Sequence, residues 1–259
     1  MPIALITDFG TKDYFVGAMK GVILAINDNV NIVDISHDVP PQDIQSAGFM
    51  LEACYRDFPS GTIFTAVVDP GVGSDRRAIL VLTSQYKFVA PDNGLLSFVF
   101  ESSENFNVFE ISNEKLFRRP VSKTFHGRDI FAPCAAHLSL GAAPSEFGEE
   151  ISDFSAFQRD KPGKLKDGKI RGTIIHRDRF GNLVTNLKPR DLPDHFQLLI
   201  NGSKVEKVND HYAQGTDSEP FLIIGSAGYL EIAAFRGSAS DLLNARVGDS
   251  VLIEERVMR

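Results

Sequence analysis

Three short stretches of the chain place ionisable side chains directly after apolar runs. Asp8 and Asp13 follow IALIT, Asp69 and Arg76 lie in VVDPGVGSDRRAI, and His126, Arg128 and Asp129 lie in TFHGRDIF. A carboxylate at the end of an apolar strand is partly desolvated, and an arginine seven residues on, across a glycine-rich loop, has the reach to fold back and meet it. His126, between Phe125 and Gly127, suits a residue that orients a water molecule or exchanges protons with it. Each group also has a plainer use. Asp8 suits capping the helix that follows it, and Arg76 beside Arg77 suits an exposed surface pair.

Several common chemistries are disfavoured by what is missing. PGVGS lacks the rest of a dinucleotide fingerprint and the Lys-Ser/Thr of a phosphate loop, so Gly71 and Gly73 are expected to permit a tight turn. No Gly-x-Ser-x-Gly elbow is present, which argues against the commonest serine hydrolases. His37 is expected as a loop histidine bonded to backbone, and the sequence alone does not identify what His137, His176, His195 and His211 meet. With only Cys54 and Cys134, both in apolar surroundings, neither a zinc site nor a disulfide framework is expected, and reduced buried thiols are.

The elements that must position these groups follow from periodicity. IALIT predicts a strand, and Asp13 to about Ile26 an amphipathic helix. NIVDISH predicts a second strand, Pro40-Pro41 a helix start, and QDIQSAGFMLEACYRDF the helix. TIFTAVVD predicts a third strand, AILVLT and KFVA a strand pair, and PDNGLLSFVF a turn entering a helix. This alternation predicts an α/β domain over 1–158 with a largely parallel central sheet, whose strand carboxyl ends are where ligands bind. RDKPGKLKDGK reads as a linker or an exposed turn. GTIIHRD, HFQLLING, PFLIIGS, YLEIAAF and SVLIEE then predict a smaller β-barrel-like domain over 165–259.

A formal charge of −7 gives no footprint for nucleic acid or an anionic membrane surface. No apolar run approaches the length of about 18 residues that a membrane helix needs. MPIALITDFG carries no basic leader, so the cytoplasm is the expected compartment.

Taken together, ITDFGTKDYFVGAMKG, ISHDVPPQDI, VVDPGVGSDRR, APDNGLL, TFHGRDIFAP, DRFGNLVTN and SAGYLEIAAFRGSA resemble the S-adenosyl-L-methionine (SAM) hydroxide adenosyltransferases, or SAM hydrolases, relatives of fluorinating and chlorinating enzymes. The resemblance implies hydrolysis of SAM to adenosine and L-methionine, with Asp69, Arg76 and His126 acting on water and Arg77 the neighbouring alternative to Arg76. It implies Asp8 at the ribose hydroxyls and Asp13 near the methionine end. Asp178, Asn182 and Ser226, with the backbone around Ala234 and Arg236, are the implied substrate contacts of the second domain. It implies no metal or other cofactor, and a homotrimer whose sites are shared between subunits. Two departures favour water over halide. The chain runs compactly from the Asp69 loop to Asp92-Asn93-Gly94, where the halogenating relatives carry an insertion, and their halide-pocket serine aligns with Gly127. A halogenase and a non-catalytic SAM-binding module are the alternatives.

Overall fold

The computed structural model describes residues 1–256. The chain divides into two compact units, Met1–Gln158 and Arg159–Arg259.

In the first unit, strands β1 (Ile3–Thr7), β2 (Ile32–Ser36), β3 (Ile63–Val67), β4 (Ala78–Thr83), β5 (Lys87–Pro91) and β6 (Phe106–Glu110) form one sheet in the order β2-β1-β3-β5-β4-β6. The β2-β1, β1-β3 and β3-β5 pairs are parallel, whereas β4 runs antiparallel to both β5 and β6. β1 and β3 are buried along their whole length. Both faces of such a strand meet apolar neighbours, which explains the unbroken apolar runs. Alternation then sorts the side chains. Ile3, Leu5, Ile63 and Val67 pack on one face with helices α1 (Phe15–Ile26) and α4 (Ala132–Ser139). Ala4, Ile6, Phe64 and Ala66 pack on the other with α2 (Ile44–Cys54) and α3 (Ser97–Ser102).

Two local details sharpen the sequence expectation. α2 starts after the proline pair, because the Asp43 carboxylate accepts the Ser46 N–H at 2.9 Å and its hydroxyl at 2.7 Å, an N-cap that prolines cannot supply. Of the two readings for residues 159–169, linker or exposed turn, the structure has the turn, as part of a hairpin: β7 (Gly163–Lys164) pairs with β8 (Ile170–Arg177) around a tight turn at Gly168.

The second unit adds β9 (Leu183–Thr185), β10 (Phe196–Ile200), β11 (Ser203–Val205), β12 (Pro220–Ile224), β13 (Leu230–Ala234), the short helix α5 (Ala239–Leu242) and β14 (Ser250–Glu255). Its sheet runs β11-β10-β14-β8-β9-β13-β12, antiparallel throughout, with β7 beside β8. Past β11, the Leu222 N–H donates to Lys207 O and the Asn209 N–H to Leu222 O, so the two sheet ends meet and the barrel nearly closes. Leu183, Leu198, Leu222, Leu230, Ile232 and Val251 fill its interior. Among the described residues, no helix is long and apolar enough to cross a membrane.

Candidate active site

The first unit's strand order reverses at β1, with β2 on one side and β3 on the other. Ligands of open α/β sheets bind at the carboxyl ends of strands flanking such a reversal. Asp8 directly follows β1, and Asp69 lies two residues beyond β3.

Arg76 folds back across its loop as the spacing predicts. Its Nε donates to Asp69 Oδ1 at 2.8 Å, and Nη2 donates to Asp69 Oδ2 and, at 3.0 Å, to His126 Nδ1. The guanidinium also lies 5.1 Å from the ring centre of Phe131, which is fully buried. Side-chain exposure is only 11% for Arg76 and 5% for Asp69, so this fork is largely shielded from water. Gly73 permits the fold-back. Its φ is +80°, and a Cβ there would stand 2.3 Å from the Lys123 carbonyl oxygen, so the loops that carry Arg76 and His126 approach as closely as backbone allows.

An arginine only donates, so His126 Nδ1 is the acceptor, and the neutral ring is assigned its proton on Nε2. Burial, reinforced by the Arg76 charge and opposed by Asp69 and Asp129, holds His126 below the usual imidazole value and favours that neutral form. The resulting set combines a carboxylate with acceptor capacity left beyond the arginine, a fixed cation and an N–H donor. Such a set accepts a proton from water and supports the oxygen that results.

Arg77 does not share this role. It faces Asp92, at 2.9 Å from Nη2 to Oδ2, and Asp153, at 2.8 Å from Nη1 to Oδ1. Arg128 and Asp129 pair with each other instead. The fully buried Asp129 carboxylate accepts from Arg118, Arg128 and the Ser122 N–H; burial opposes its ionisation, yet these bonds outweigh burial and hold it below the usual carboxylate range. Gly127 is buried, and a Cβ there would lie 3.2 Å from both Met19 Sδ and the Phe9 ring. Phe9 and Met19 therefore crowd any side chain placed at Gly127.

Asp8 does not cap α1, which has no side-chain cap; its Oδ2 accepts the Gln42 N–H at 2.8 Å. Asp13 is exposed in the bend before α1. The His37 side chain meets side chains rather than backbone: its Nδ1 is hydrogen-bonded to Thr7 Oγ1 at 2.8 Å, and its Nε2 lies 3.0 Å from Asp34 Oδ1. Cys54 and Cys134 are free; Cys134 is buried and Cys54 half-buried, with burial pushing the Cys54 thiol up to about 11.

In the second unit, Asp178 holds its own loop. Oδ1 accepts the N–H groups of Phe180 and Asn182, and Oδ2 accepts Asn182 Nδ2 at 2.8 Å. Ser226 is exposed at the tip of the β12-β13 hairpin, Ala234 is buried in β13, and Arg236 is exposed with its guanidinium 5.0 Å from the Phe235 ring centre. Sequence reasoning passed over Glu231, a buried acid whose Oε2 accepts the Tyr212 hydroxyl at 3.0 Å. Burial pushes its carboxyl up and Asp178 adds to that, with the Tyr212 bond opposing. The signal was a charge inside the apolar run LEIAA. Among the described residues, no three His, Cys, Asp or Glu side chains come together as a metal-ligand set.

Comparison with known proteins bears on this geometry. The profile of the SAM hydroxide adenosyltransferase N-terminal domain matches residues 3–148, and that of the C-terminal domain matches 172–252. The chain is similar to an (R)-S-adenosyl-L-methionine hydrolase of Methanocaldococcus jannaschii, with 37% identity covering 97% of this chain and 95% of that protein. It is also similar to a fluorinase of an Actinoplanes species, with 29% identity over an alignment of 287 residues covering 97% and 96%. A solved structure of an uncharacterized conserved protein from Thermotoga maritima superposes with a TM-score of 0.90 at 37% identity, covering 97% of this chain and 99% of that one.

Proposed function

The chain belongs to the SAM hydroxide adenosyltransferase family, and from that premise we propose that Asp69, Arg76 and His126 drive the hydrolysis of S-adenosyl-L-methionine to adenosine and L-methionine. The enzyme is a SAM hydrolase. The single observation that carries the site assignment is the shielded fork in which one guanidinium holds both Asp69 and His126.

The substrate sulfonium already makes ribose C5′ electrophilic, and methionine leaves as a neutral thioether, so no general acid is needed at sulfur. The difficulty lies with the nucleophile, since bulk water has a pKa of roughly 15.7. Water oxygen bonds to C5′ as the C5′–S bond breaks with its electron pair passing to sulfur, and the water proton passes to the Asp69 carboxylate. His126, with Nδ1 committed to Arg76, donates through Nε2–H to the attacking oxygen. The tautomer thus favours Asp69 as proton acceptor. Arg76 keeps both groups oriented and stabilises hydroxide character in a site where water is otherwise scarce. Asp8, at the end of β1, holds the ribose hydroxyls, and Asp13 stands near the methionine end. Asp178, Asn182, Ser226 and the backbone near Ala234 and Arg236 complete the contacts.

Water rather than halide is supported by the crowding around Gly127. The fluorinase alignment runs to 287 residues against 265 for the Methanocaldococcus hydrolase at the same coverage of this chain, so the fluorinase carries more residues that the chain lacks. The proposed enzyme needs no metal or organic cofactor, works in the cytoplasm, and is a homotrimer in which the second-unit contacts come from a neighbouring copy. Incubation with SAM in buffered chloride, followed by chromatography, tests the reaction. Adenosine and methionine in equal amounts are expected; 5′-chloro-5′-deoxyadenosine, or no conversion, refutes hydrolysis.

A further inference from the structure

The catalytic loop from Asp69 to Arg76 has two feet, Val68 at the end of β3 and Arg77 at the entry to β4, and one turn braces both. Asn93 Nδ2 donates to the Val68 carbonyl at 2.9 Å. The neighbouring Asp92 donates its N–H to the Arg77 carbonyl at 2.9 Å and accepts Arg77 Nε and Nη2 on Oδ2 at 3.2 and 2.9 Å. Asp92 is buried, so this pair is held far more firmly than an exposed one. A strap over residues 153–157 closes on the same turn. Arg77 Nη1 and Nη2 donate to the side chain and carbonyl of Asp153, and the Ser155 N–H donates to Asp92 Oδ1 at 2.7 Å. Phe157 lies on Gly94, where a Cβ would come within 2.6 Å of its ring.

We propose that Arg77, Asp92 and Asn93 are positioning residues for SAM hydrolysis, fixing the separation of the loop's feet and thereby the fork that Arg76 makes to Asp69 and His126. The inference rests on the hydrolysis proposed above. Adjacent arginines divide the work, Arg76 acting at the triad and Arg77 anchoring the backbone that carries it. Arg76 Nη1 also donates to the Arg77 carbonyl at 3.3 Å, so a displaced foot moves the fork directly. Displacements of about an ångström at reacting groups cost on the order of 10²-fold in rate, and a partial one costs less.

The test is a double-mutant cycle on the full-length enzyme, measuring kcat, KM and the number of SAM-binding sites by calorimetry. Arg77→Gln is expected to lower kcat about tenfold per binding site with KM changed less than about twofold, and Arg77→Lys to recover part of the loss. Asn93→Ala, which removes one bond at the other foot, is expected to lower kcat about threefold and serves if Arg77→Gln does not fold. In an Asp69→Asn background, either substitution is expected to add less than about a twofold loss, because the geometry it protects is already without a base. The same fold-loss in both backgrounds, or full kcat per binding site, overturns the positioning role in favour of a purely structural one. Wild-type enzyme inert toward SAM, or Asp69→Asn at full turnover, instead overturns the hydrolysis mechanism and this inference with it.

Discussion

Arg76→Met tests the triad where its consequences for stability and rate are both large. Methionine keeps an apolar stem beside Phe131 but removes every donor, leaving a carboxylate that is 5% exposed without its cation. Removing one partner of a pair so shielded costs about 3–5 kcal/mol, because the remaining charge stays buried unpaired. For a unit the size of Met1–Gln158, each kcal/mol moves Tm by about 2–4 °C, so a fall of about 6–20 °C is expected. Turnover should drop by about 10²–10³-fold, the usual effect of losing one preorganised donor aimed at a developing charge. Arg76→Lys should fall between, since an ammonium keeps the charge but cannot fork to Asp69 while also reaching His126. Thermal unfolding and adenosine formation would be measured on the same preparations, with SAM binding checked by calorimetry. A Tm within about 2 °C of wild type, together with turnover within about threefold, would refute the assignment of Arg76 as the buried hub.

Because burial and then Arg76 hold His126 below the ordinary imidazole value of 6.5, kcat should be level well above that pH and fall in an acid limb whose midpoint lies below it. The same sign applies to stability: the contribution of neutral His126 is complete above the unfolded value and is lost as pH falls toward the folded one. His126→Gln, which supplies both an acceptor and a donor, should retain part of the rate and lose that limb; a wild-type limb above 6.5 would exclude the neutral-histidine assignment. Asp8→Ala should raise KM with kcat changed far less, since ribose contacts act in ground and transition states alike, and an unchanged KM in steady-state assays would remove Asp8 from the ribose. Variants altered at Asp69 and at Asn182, each inactive alone, should recover about a quarter of the sites when dissociated and reassembled as an equal mixture, which an adenosine assay reads; no recovery despite subunit exchange seen by mass spectrometry would place the site within one chain. Activity should survive dialysis against a chelator, and loss restored by one divalent ion would overturn metal-free hydrolysis.

Much of this was legible along the chain because the determining interactions are local or periodic. The fully apolar runs of β1 and β3 belong to strands with neighbours on both sides, and the shorter runs after residue 170 belong to the barrel. The collinear motifs identified the family, and the seven-residue spacing with glycines between made the Asp69–Arg76 fold-back physically reachable. The hairpin at 163–170 was obscured because its Lys, Asp and Gly content is that of any exposed turn, and only pairing with β8 distinguishes it from a linker.

Direction, by contrast, belongs to tertiary structure. The sequence determines that two arginines are adjacent after VVDPGVGSD. It does not determine that Arg76 turns to Asp69 and His126 while Arg77 turns to Asp92 and Asp153. Those partners lie between 7 and 76 residues away along the chain, and they meet because neighbouring side chains at a strand entry leave on different sides and the packed sheet decides what waits on each. The state of His126 was settled in the same way. An imidazole has two nitrogens and no sequence preference between them, and only the placement of a guanidinium, which can donate but never accept, commits Nδ1 as acceptor and leaves the proton of the neutral ring on Nε2.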